Sequence, residues 1–122
     1  MIEIAIISEL LQITELNNEV YPNSAPEATP TPYLTITNVD TSEEYTLDGV
    51  TGNRTTLFNL NLYCSSYSDL KNIGQKVRDK LLSFFQRNVG NFFIQSANLD
   101  TRDLYEDAVN LHRTIFEFEI YY

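Results

Sequence analysis

Apolar residues recur at helical spacing from Ile2 to about Leu16. Residues three or four positions apart share one face of a helix. The segment therefore predicts a helix with a broad apolar face that several neighbouring elements cover: Ile4, Ile7 and Leu11, widened by Ile6, Leu10 and Ile13. Its β-branched residues have low helix propensity, so a strand at the N-terminus is the alternative. We expect Asn17-Asn18-Glu19 to end the helix.

A second helical pattern begins at Ser68, a residue suited to cap a helix N-terminus, and runs to about Arg87. The positive charge of Arg87 suits a helix C-terminus. Gly74 lies beside the apolar stripe and would allow another element to approach the helix closely. The stripe predicts burial in the core and consists of Leu70, Ile73, Val77, Leu81 and Phe84.

Alternating apolar and polar residues predict strands in the rest of the chain. Residues 20–32 contain all four prolines and predict a loop of extended character, because proline fixes φ and lacks a backbone donor. Strands are predicted over residues 33–39, 43–47 and 54–64. Asp40-Thr41-Ser42 is predicted to turn the chain, and residues 48–53 to reverse it with Gly49 and Gly52 at φ > 0.

The C-terminal third predicts two further strands. Gly90 indicates a turn after the second helix, residues 92–99 predict a strand, and residues 100–107 predict a polar turn. A long alternating strand follows from about Asn110 to Tyr122, long enough for a central position or an extended edge. The sum is a single α+β domain over residues 1–122, with a mostly antiparallel sheet of about four strands packed on one face by two helices.

Composition narrows the function classes. With 122 residues, the chain can bury a core without disulfides or metal. Its net charge of −9 argues against direct binding of nucleic acid or of an anionic membrane surface, and otherwise favours solubility. A lone cysteine excludes an internal disulfide and fits a reducing compartment. Without a membrane-spanning run or signal-peptide pattern, we expect the protein to stay in the cytosol until assembled.

Candidate chemistry is sparse. His112 is the single histidine and lies within a strand pattern, so we expect a packed side chain rather than a general base. Cys64 ends an apolar strand face and is interpreted as a small core residue. There is no Cys or His pair for a metal and no glycine-rich phosphate loop. We therefore expect neither cofactor nor metal, and no enzymatic activity.

Four acidic residues lie close together near residue 103, which raises the question of calcium: Asp100, Asp103, Glu106 and Asp107. Their spacing differs from that of an EF-hand loop, and the cluster contains no glycine. Arg102 and Arg113 are equally available as partners. A solvated acidic loop is the favoured interpretation, and an ion pair between subunits is the second.

An ordered series of short motifs resembles a known family, the tail completion or tail terminator proteins of tailed bacteriophages. The series covers nearly the whole chain: Val20-Tyr21-Pro22, Ala25-Pro26, Pro32-Tyr33-Leu34, Glu44-Tyr45-Thr46-Leu47-Asp48-Gly49, the helix after Tyr67-Ser68-Asp69, Arg102-Asp103-Leu104-Tyr105-Glu106-Asp107 and His112-Arg113-Thr114-Ile115-Phe116-Glu117-Phe118. The resemblance implies a mixed sheet packed by two helices, which agrees with the pattern above, and no catalytic residues.

The resemblance also implies a role in the virion. Such proteins form a ring, expected to be hexameric, on the head-proximal end of the tail tube, which ends tube polymerisation and joins the tail to the head. The implied partners are further copies of the chain, the tail tube protein and the head-completion or stopper protein. DNA would pass through the lumen without specific binding, and an acidic lumen would repel its phosphates. The implied location is the head–tail junction, reached from the host cytoplasm during assembly.

A ring made of head-to-tail contacts needs two different surfaces on each subunit. We expect those contacts, between subunits or with tube and neck, in two segments and in the exposed strand edges and the Pro-rich loop. The first segment contributes Tyr45, Asp48, Gly49, Gly52 and Arg54. The second contributes Arg102, Asp103, Tyr105 and Glu106.

Three alternatives remain open at this level. A head-completion or stopper protein would also form a ring but would stay with heads rather than tails. A small-molecule enzyme on a similar scaffold would need a convergent polar pocket, and we cannot assemble one from these residues. A host adaptor module would have no role in the virion.

Overall fold

The computed structural model describes residues 2–47, 49–106 and 111–122. Within these residues the chain forms two α-helices, α1 (Ile2–Leu10) and α2 (Tyr67–Leu82), and a 3₁₀ turn (Thr14–Leu16). The strands of the same residues are β1 (Val20–Pro22), β2 (Tyr33–Thr46), β3 (Gly49–Cys64), β4 (Arg87–Val89), β5 (Phe92–Ile94), β6 (Ser96–Glu106) and β7 (Leu111–Tyr121).

Five strands form one sheet in the order β1-β2-β3-β7-β6, and β4 and β5 form a separate hairpin. Every neighbouring pair is antiparallel except β1 and β2. The predicted α+β class is confirmed, with five strands in the main sheet. The additional strand, β1, lies inside the predicted Pro-rich loop. Two hydrogen bonds flank its pairing with β2: Leu34 N–H donates to the Glu19 carbonyl at 2.9 Å, and Asn23 N–H donates to the Ile36 carbonyl at 2.8 Å.

The core fills one face of this sheet. From β3 and β7 it takes Phe58, Leu60, Leu62, Cys64, Phe116, Phe118 and Ile120, all essentially inaccessible to solvent. The predicted stripe of α2 packs against them and is fully confirmed: Leu70, Ile73, Val77, Leu81 and Phe84 are buried. A Cβ placed on Gly74 would lie 3.8 Å from Leu62 Cδ2, so the predicted close approach of helix and sheet is observed.

Helix α1 differs from its prediction in length and in its buried face. It ends at Leu10, and the chain continues into the 3₁₀ turn rather than in one helix to Leu16. The buried row is Ile2, Ile6 and Leu10, whereas Ile4 of the predicted main stripe is 63 % exposed. Six of the nine residues of α1 are apolar and they lie on several sides of the helix, so the docking of α1 decides which row is buried, and periodicity alone could not.

Helix α2 also has different ends. Ser66, not Ser68, is its cap, and the Ser66 side chain accepts a hydrogen bond from Asp69 N–H at 3.2 Å. The helix ends at Leu82, and Arg87 belongs to β4. Arg87 instead donates two hydrogen bonds of 3.1 Å to the Glu9 carboxylate on α1, which lowers the pKa of Glu9. Arg87 also donates from Nε to the carbonyl oxygen of Ser83, the C-cap of α2, at 2.8 Å, so its charge lies at the end of α2 as predicted and in addition joins β4 to α1.

Two predicted turns are strand instead. β2 runs through Asp40-Thr41-Ser42 with a bulge between Asn38 and Asp40, and β3 already begins at Gly49. β6 runs from Ser96 to Glu106, through most of the predicted polar turn, while the predicted strand 92–99 is divided between β5 and β6. Pairing with a long neighbouring strand satisfies the backbone of these polar segments and overrides their low strand propensity. The predicted start of the last strand near Asn110 lies outside the described residues.

Candidate assembly site

The distal half of the β2–β3 hairpin extends away from the core, and we call residues 40–53 the arm. Every side chain that the structure describes in β2 from Asp40 onwards is exposed. Tyr45 is 68 % exposed and Leu47 is fully exposed. Large apolar side chains displayed together on a protruding hairpin are typical of a surface that another protein covers. Three predicted contact residues, Tyr45, Gly49 and Gly52, thus lie on the arm and Arg54 follows directly after it, while Asp48 lies outside the described residues.

A bulge gives the arm its shape. Glu43 pairs with Arg54 and Tyr45 pairs with Val50, so Glu44 stands opposite three residues of β3, Thr51 to Asn53. Gly52, in the middle of the three, has φ +91°, and Gly49 at the tip has φ +109°. Side-chain-bearing residues rarely adopt such angles, so both glycines are required by the backbone, as predicted from the sequence.

The carboxylate of Glu44 connects the arm to the end of β7. Its Oε2 atom accepts hydrogen bonds from Tyr121 Oη at 2.6 Å, Asn53 Nδ2 at 2.9 Å and Thr51 Oγ1 at 3.0 Å. Gln95, between β5 and β6, donates a hydrogen bond from Nε2 to Asn53 Oδ1 at 3.1 Å. The bond from Tyr121, followed by those from Asn53 and Thr51, lowers the pKa of Glu44 below its ordinary value. Sequence reasoning missed Glu44 and Tyr121 as a pair, since 77 residues separate them.

We expect Glu44→Gln to loosen the arm without unfolding the domain. The substitution keeps the size of the side chain but replaces charge-assisted hydrogen bonds with weaker neutral ones. Hydrogen–deuterium exchange should therefore speed up at amides of residues 40–53 and stay unchanged in α2. In the wild-type protein, folding lowers the pKa of Glu44. The stabilisation that its carboxylate gives the arm is therefore present above the pKa of glutamate in the unfolded chain, and it is lost as the pH falls through the pKa of Glu44 in the folded protein.

The matched control is Glu43→Gln on the same arm. Glu43 forms one exposed ion pair with Arg54, at 3.5 Å, and exposed pairs of this kind contribute little. We expect arm exchange in this variant to match the wild type. Equal exchange in Glu44→Gln and the wild type would show that the network does not hold the arm.

The second predicted segment lies in β6, at the other end of the sheet. Thr55, which follows the arm, pairs with Tyr121 at the end of β7. Tyr105 of the second segment pairs with His112 at the start of β7. The two predicted segments are therefore not one site. The side chain of Glu106, and Asp107, lie outside what the structure describes.

Asp103 is held within its own subunit. Its carboxylate forms an ion pair with Lys71 of α2 and accepts a hydrogen bond from Thr114 Oγ1 at 2.7 Å. The bond from Lys71 lowers the pKa of Asp103. Asp103 therefore ties α2 to the sheet, and the solvated acidic loop expected here is instead a paired strand. Arg102, its neighbour, points to the opposite face of the sheet, which carries no helix.

The rings around His112 form an aromatic cluster. The centroids of Tyr105 and His112 are 4.6 Å apart, and those of Tyr67 and His112 are 5.8 Å apart. The expected packing of His112 is thus observed. Cys64 is buried, and desolvation raises the pKa of its thiol to about 11, which leaves the thiolate nucleophile unpopulated near neutral pH.

The remaining observations concern metal ligands, surface depressions and helix length. Across the described ranges, no three His, Cys, Asp or Glu residues are placed to hold a metal ion. A depression of about 740 Å³ beside α2 includes Glu15 and Lys76, which pair with each other at 2.6 Å. None of the helices described is long and apolar enough to cross a membrane.

Comparison with known proteins agrees with these features. The family model described as Tail completion protein gp17 matches residues 4–122. The chain belongs to this family. No curated protein matches it. A chain in the virion of a native gene transfer agent particle has a similar fold, with a TM-score of 0.74 at 12 % identity over 98 % of this chain and 92 % of that chain.

Membership confirms the resemblance found in the motifs of the sequence. As a tail completion family member, the chain is a structural protein of phage tail and head–tail assembly, and its place is the virion. The similarity to the gene transfer agent chain, at its low identity, shows that the fold extends over nearly the full length of both chains.

Proposed function

We propose that copies of this chain close into a ring, expected to be a hexamer, on the head-proximal end of the tail tube. The ring ends polymerisation of the tube protein and provides the surface to which the head-completion or stopper protein of the neck binds. The observation that carries this proposal is the arm, on which Tyr45 and Leu47 are exposed. The hydrogen bond between Glu44 and Tyr121 anchors the arm to the end of β7. A rigid hairpin with unpartnered apolar residues suits docking on another subunit.

Ring closure needs two different surfaces, and the strand order supplies them. The β2 strand of the arm lies near one side of the sheet, and β6 forms the opposite side. Each copy can therefore contact one neighbour through the arm and the other through β6. The proposed role is structural, in keeping with the packed His112 and the buried thiol of Cys64. The net charge of −9 suits a ring through which DNA passes without binding.

Deletion of the gene from the particle that encodes it tests the role. Electron microscopy of the lysate should show DNA-filled heads beside overlong or unjoined tails, because tube polymerisation has lost its stop. Heads that leak DNA beside tails of normal length would instead identify a stopper on the head side. Intact particles would remove the protein from assembly.

Complementation of the deletion can locate the contact surface. Leu47→Ser should lower the titre about tenfold or more, since burying a leucine contributes about 1.5–3 kcal/mol and each 1.4 kcal/mol is tenfold in binding. The matched control is Ile4→Ser, which removes another exposed apolar side chain, from α1 rather than from the arm. Equal titres for the two variants would exclude the arm as the contact surface.

A further inference from the structure

The direction of each backbone group along the sheet follows from one pair of hydrogen bonds. Arg54 and Tyr122 exchange both backbone bonds, at 2.5 Å and 2.8 Å. In an antiparallel ladder such pairs alternate with pairs that exchange none, so successive residues point their N–H and C=O groups to opposite sides. Odd-numbered residues of β7 therefore direct their backbone N–H and C=O groups toward β6. The hydrogen bond from Gln95 N–H to the Tyr121 carbonyl, at 2.7 Å, agrees with this direction.

Among the described residues, no strand pairs with the outer edge of β6 around Thr101. Because the β6 residues paired with odd β7 residues face inward, the alternate residues direct their backbone groups away from the sheet: Ala97, Leu99, Thr101, Asp103 and Tyr105. No described strand lies beyond β6 in the sheet order. Unpaired edges of this length are sites where proteins pair with other chains unless they are covered.

On the opposite side of the sheet, no described strand covers β2 beyond Ile36, which leaves the arm as an open edge. β1 covers β2 from Leu34 to Ile36 and no further among the described residues. Beyond it, the pairing of Asp40 with Leu57 and of Thr41 with Thr56 shows which groups face outward. By the same alternation, Thr41 and Glu43 direct their backbone N–H and C=O groups to the outside, and Asp40 and Ser42 direct theirs to β3.

The two edges have matching directions. Three antiparallel steps lead from β2 through β3 and β7 to β6, so β6 runs opposite to β2. A second copy rotated about an axis inclined to the strands, as when a sheet closes on itself, keeps the general direction of its own β2 and shifts its arm along the neighbouring β6. Its arm would therefore meet β6 as an antiparallel neighbour.

We propose that the outer edge of β6 pairs with the outer edge of the arm of the next copy, with Thr101 opposite Thr41. This pairing rests on the ring proposed above and names its subunit contact. In this register both threonines direct their backbone groups to the line along which the two strands meet, which we call the seam. Each copy then extends the sheet of its neighbour.

Charge complementarity selects the register. Arg102 and Asp40 then stand opposite each other as a pair without mutual backbone bonds, where Cβ atoms are about 4.5–5.5 Å apart. Both side chains lie on the helix-free face, because their partners Ile115 and Leu57 alternate with the core residues Phe116 and Phe58. Neither Arg102 nor Asp40 takes part in any ion pair among the described residues.

A disulfide across the seam tests this register. Asp40→Cys combined with Arg102→Cys, supplied to the deletion strain and oxidised in purified tails, should give a ladder of covalent multimers on a non-reducing gel. Both positions are exposed, so folding should be unaffected, and the native Cys64 is buried. Each single variant should remain monomeric on the gel. Ser42→Cys combined with Arg102→Cys, one step out of register on the same face, should cross-link at least about tenfold less.

The outcomes separate this pairing from the ring itself. Tails of normal length that contain the double variant only as monomers would overturn the edge pairing and leave the terminating function intact. Absence of the wild-type protein from purified tails would overturn both.

A proline substitution tests whether the outer edge of β6 pairs with another strand, whichever register that pairing has. Thr101→Pro removes an outward N–H that the fold does not use, and proline is tolerated on edge strands. We expect it to lower the titre about tenfold or more, while Thr101→Val, which keeps the N–H, retains wild-type titre. Thermal unfolding should show similar stability for the two variants. Equal titres would overturn the pairing.

Discussion

Phe118→Ala should lower the free energy of unfolding by about 3–5 kcal/mol, the range for removing a fully buried phenylalanine. Phe118 lies in the middle of β7, directly between Phe58 of β3 and Leu99 of β6. Its ring meets that of Phe84 edge to face, with centroids 5.9 Å apart. The truncated side chain would leave a cavity where strand and helix layers meet, and regular pairing on both sides prevents the backbone from closing it.

Urea unfolding followed by circular dichroism measures this loss. Phe93→Ala is the matched control, because Phe93 is 51 % exposed and its truncation leaves no cavity. We expect the control to change the free energy of unfolding by less than about 1 kcal/mol. A loss below that value in Phe118→Ala would contradict the central place given to this side chain.

Gly90→Ala should lower the free energy of unfolding by about 2–5 kcal/mol, through two separate causes. Gly90 has φ +61°, a region that costs a residue with a Cβ about 1–2 kcal/mol. A Cβ at this position would also lie 2.8 Å from the Cβ of Ala5 on α1, and overpacking of this kind costs about 1–3 kcal/mol. The β4–β5 turn would have to move away from α1.

Gly74→Ala provides the opposite control with the same chemical change. At Gly74 the added Cβ would meet Leu62 Cδ2 at 3.8 Å, an ordinary contact, in the interior of α2. Replacing glycine by alanine in a helix contributes about 0.5–1 kcal/mol, so the midpoint of urea unfolding should rise. Loss of stability in both variants would show that available space and φ do not govern these sites.

The strongest periodic patterns predicted the centre of the fold well. The stripe of α2 and the alternation of β3 and β7 each pointed to the residues that form the core. These elements combine a regular period with a clear contrast between apolar and polar faces, so the face that avoids water is decided locally. At α1 that contrast is absent, and its buried face could not be read from the pattern.

The candidate site was less accessible to such reasoning. Gly49 and Gly52 were correctly predicted to adopt positive φ, because glycine has a conformational signature of its own. The arm was instead divided into a strand, a turn and a loop, since Asp40-Thr41-Ser42 has the composition of a turn. Glu44 and Tyr121 meet only because β7 ends beside the arm.

By itself, the sequence determined the class of the fold, the faces of its most regular elements and, through the order of its motifs, the family. Those properties depend on local periodicity and on residues close together along the chain. The tertiary structure alone decided that two polar segments are strands, that β6 and the arm are open edges on opposite sides, and that Arg102 and Asp40 share one face. Strand order is set by pairing between residues far apart along the chain, and the polar composition of these segments does not specify the strand with which each one pairs.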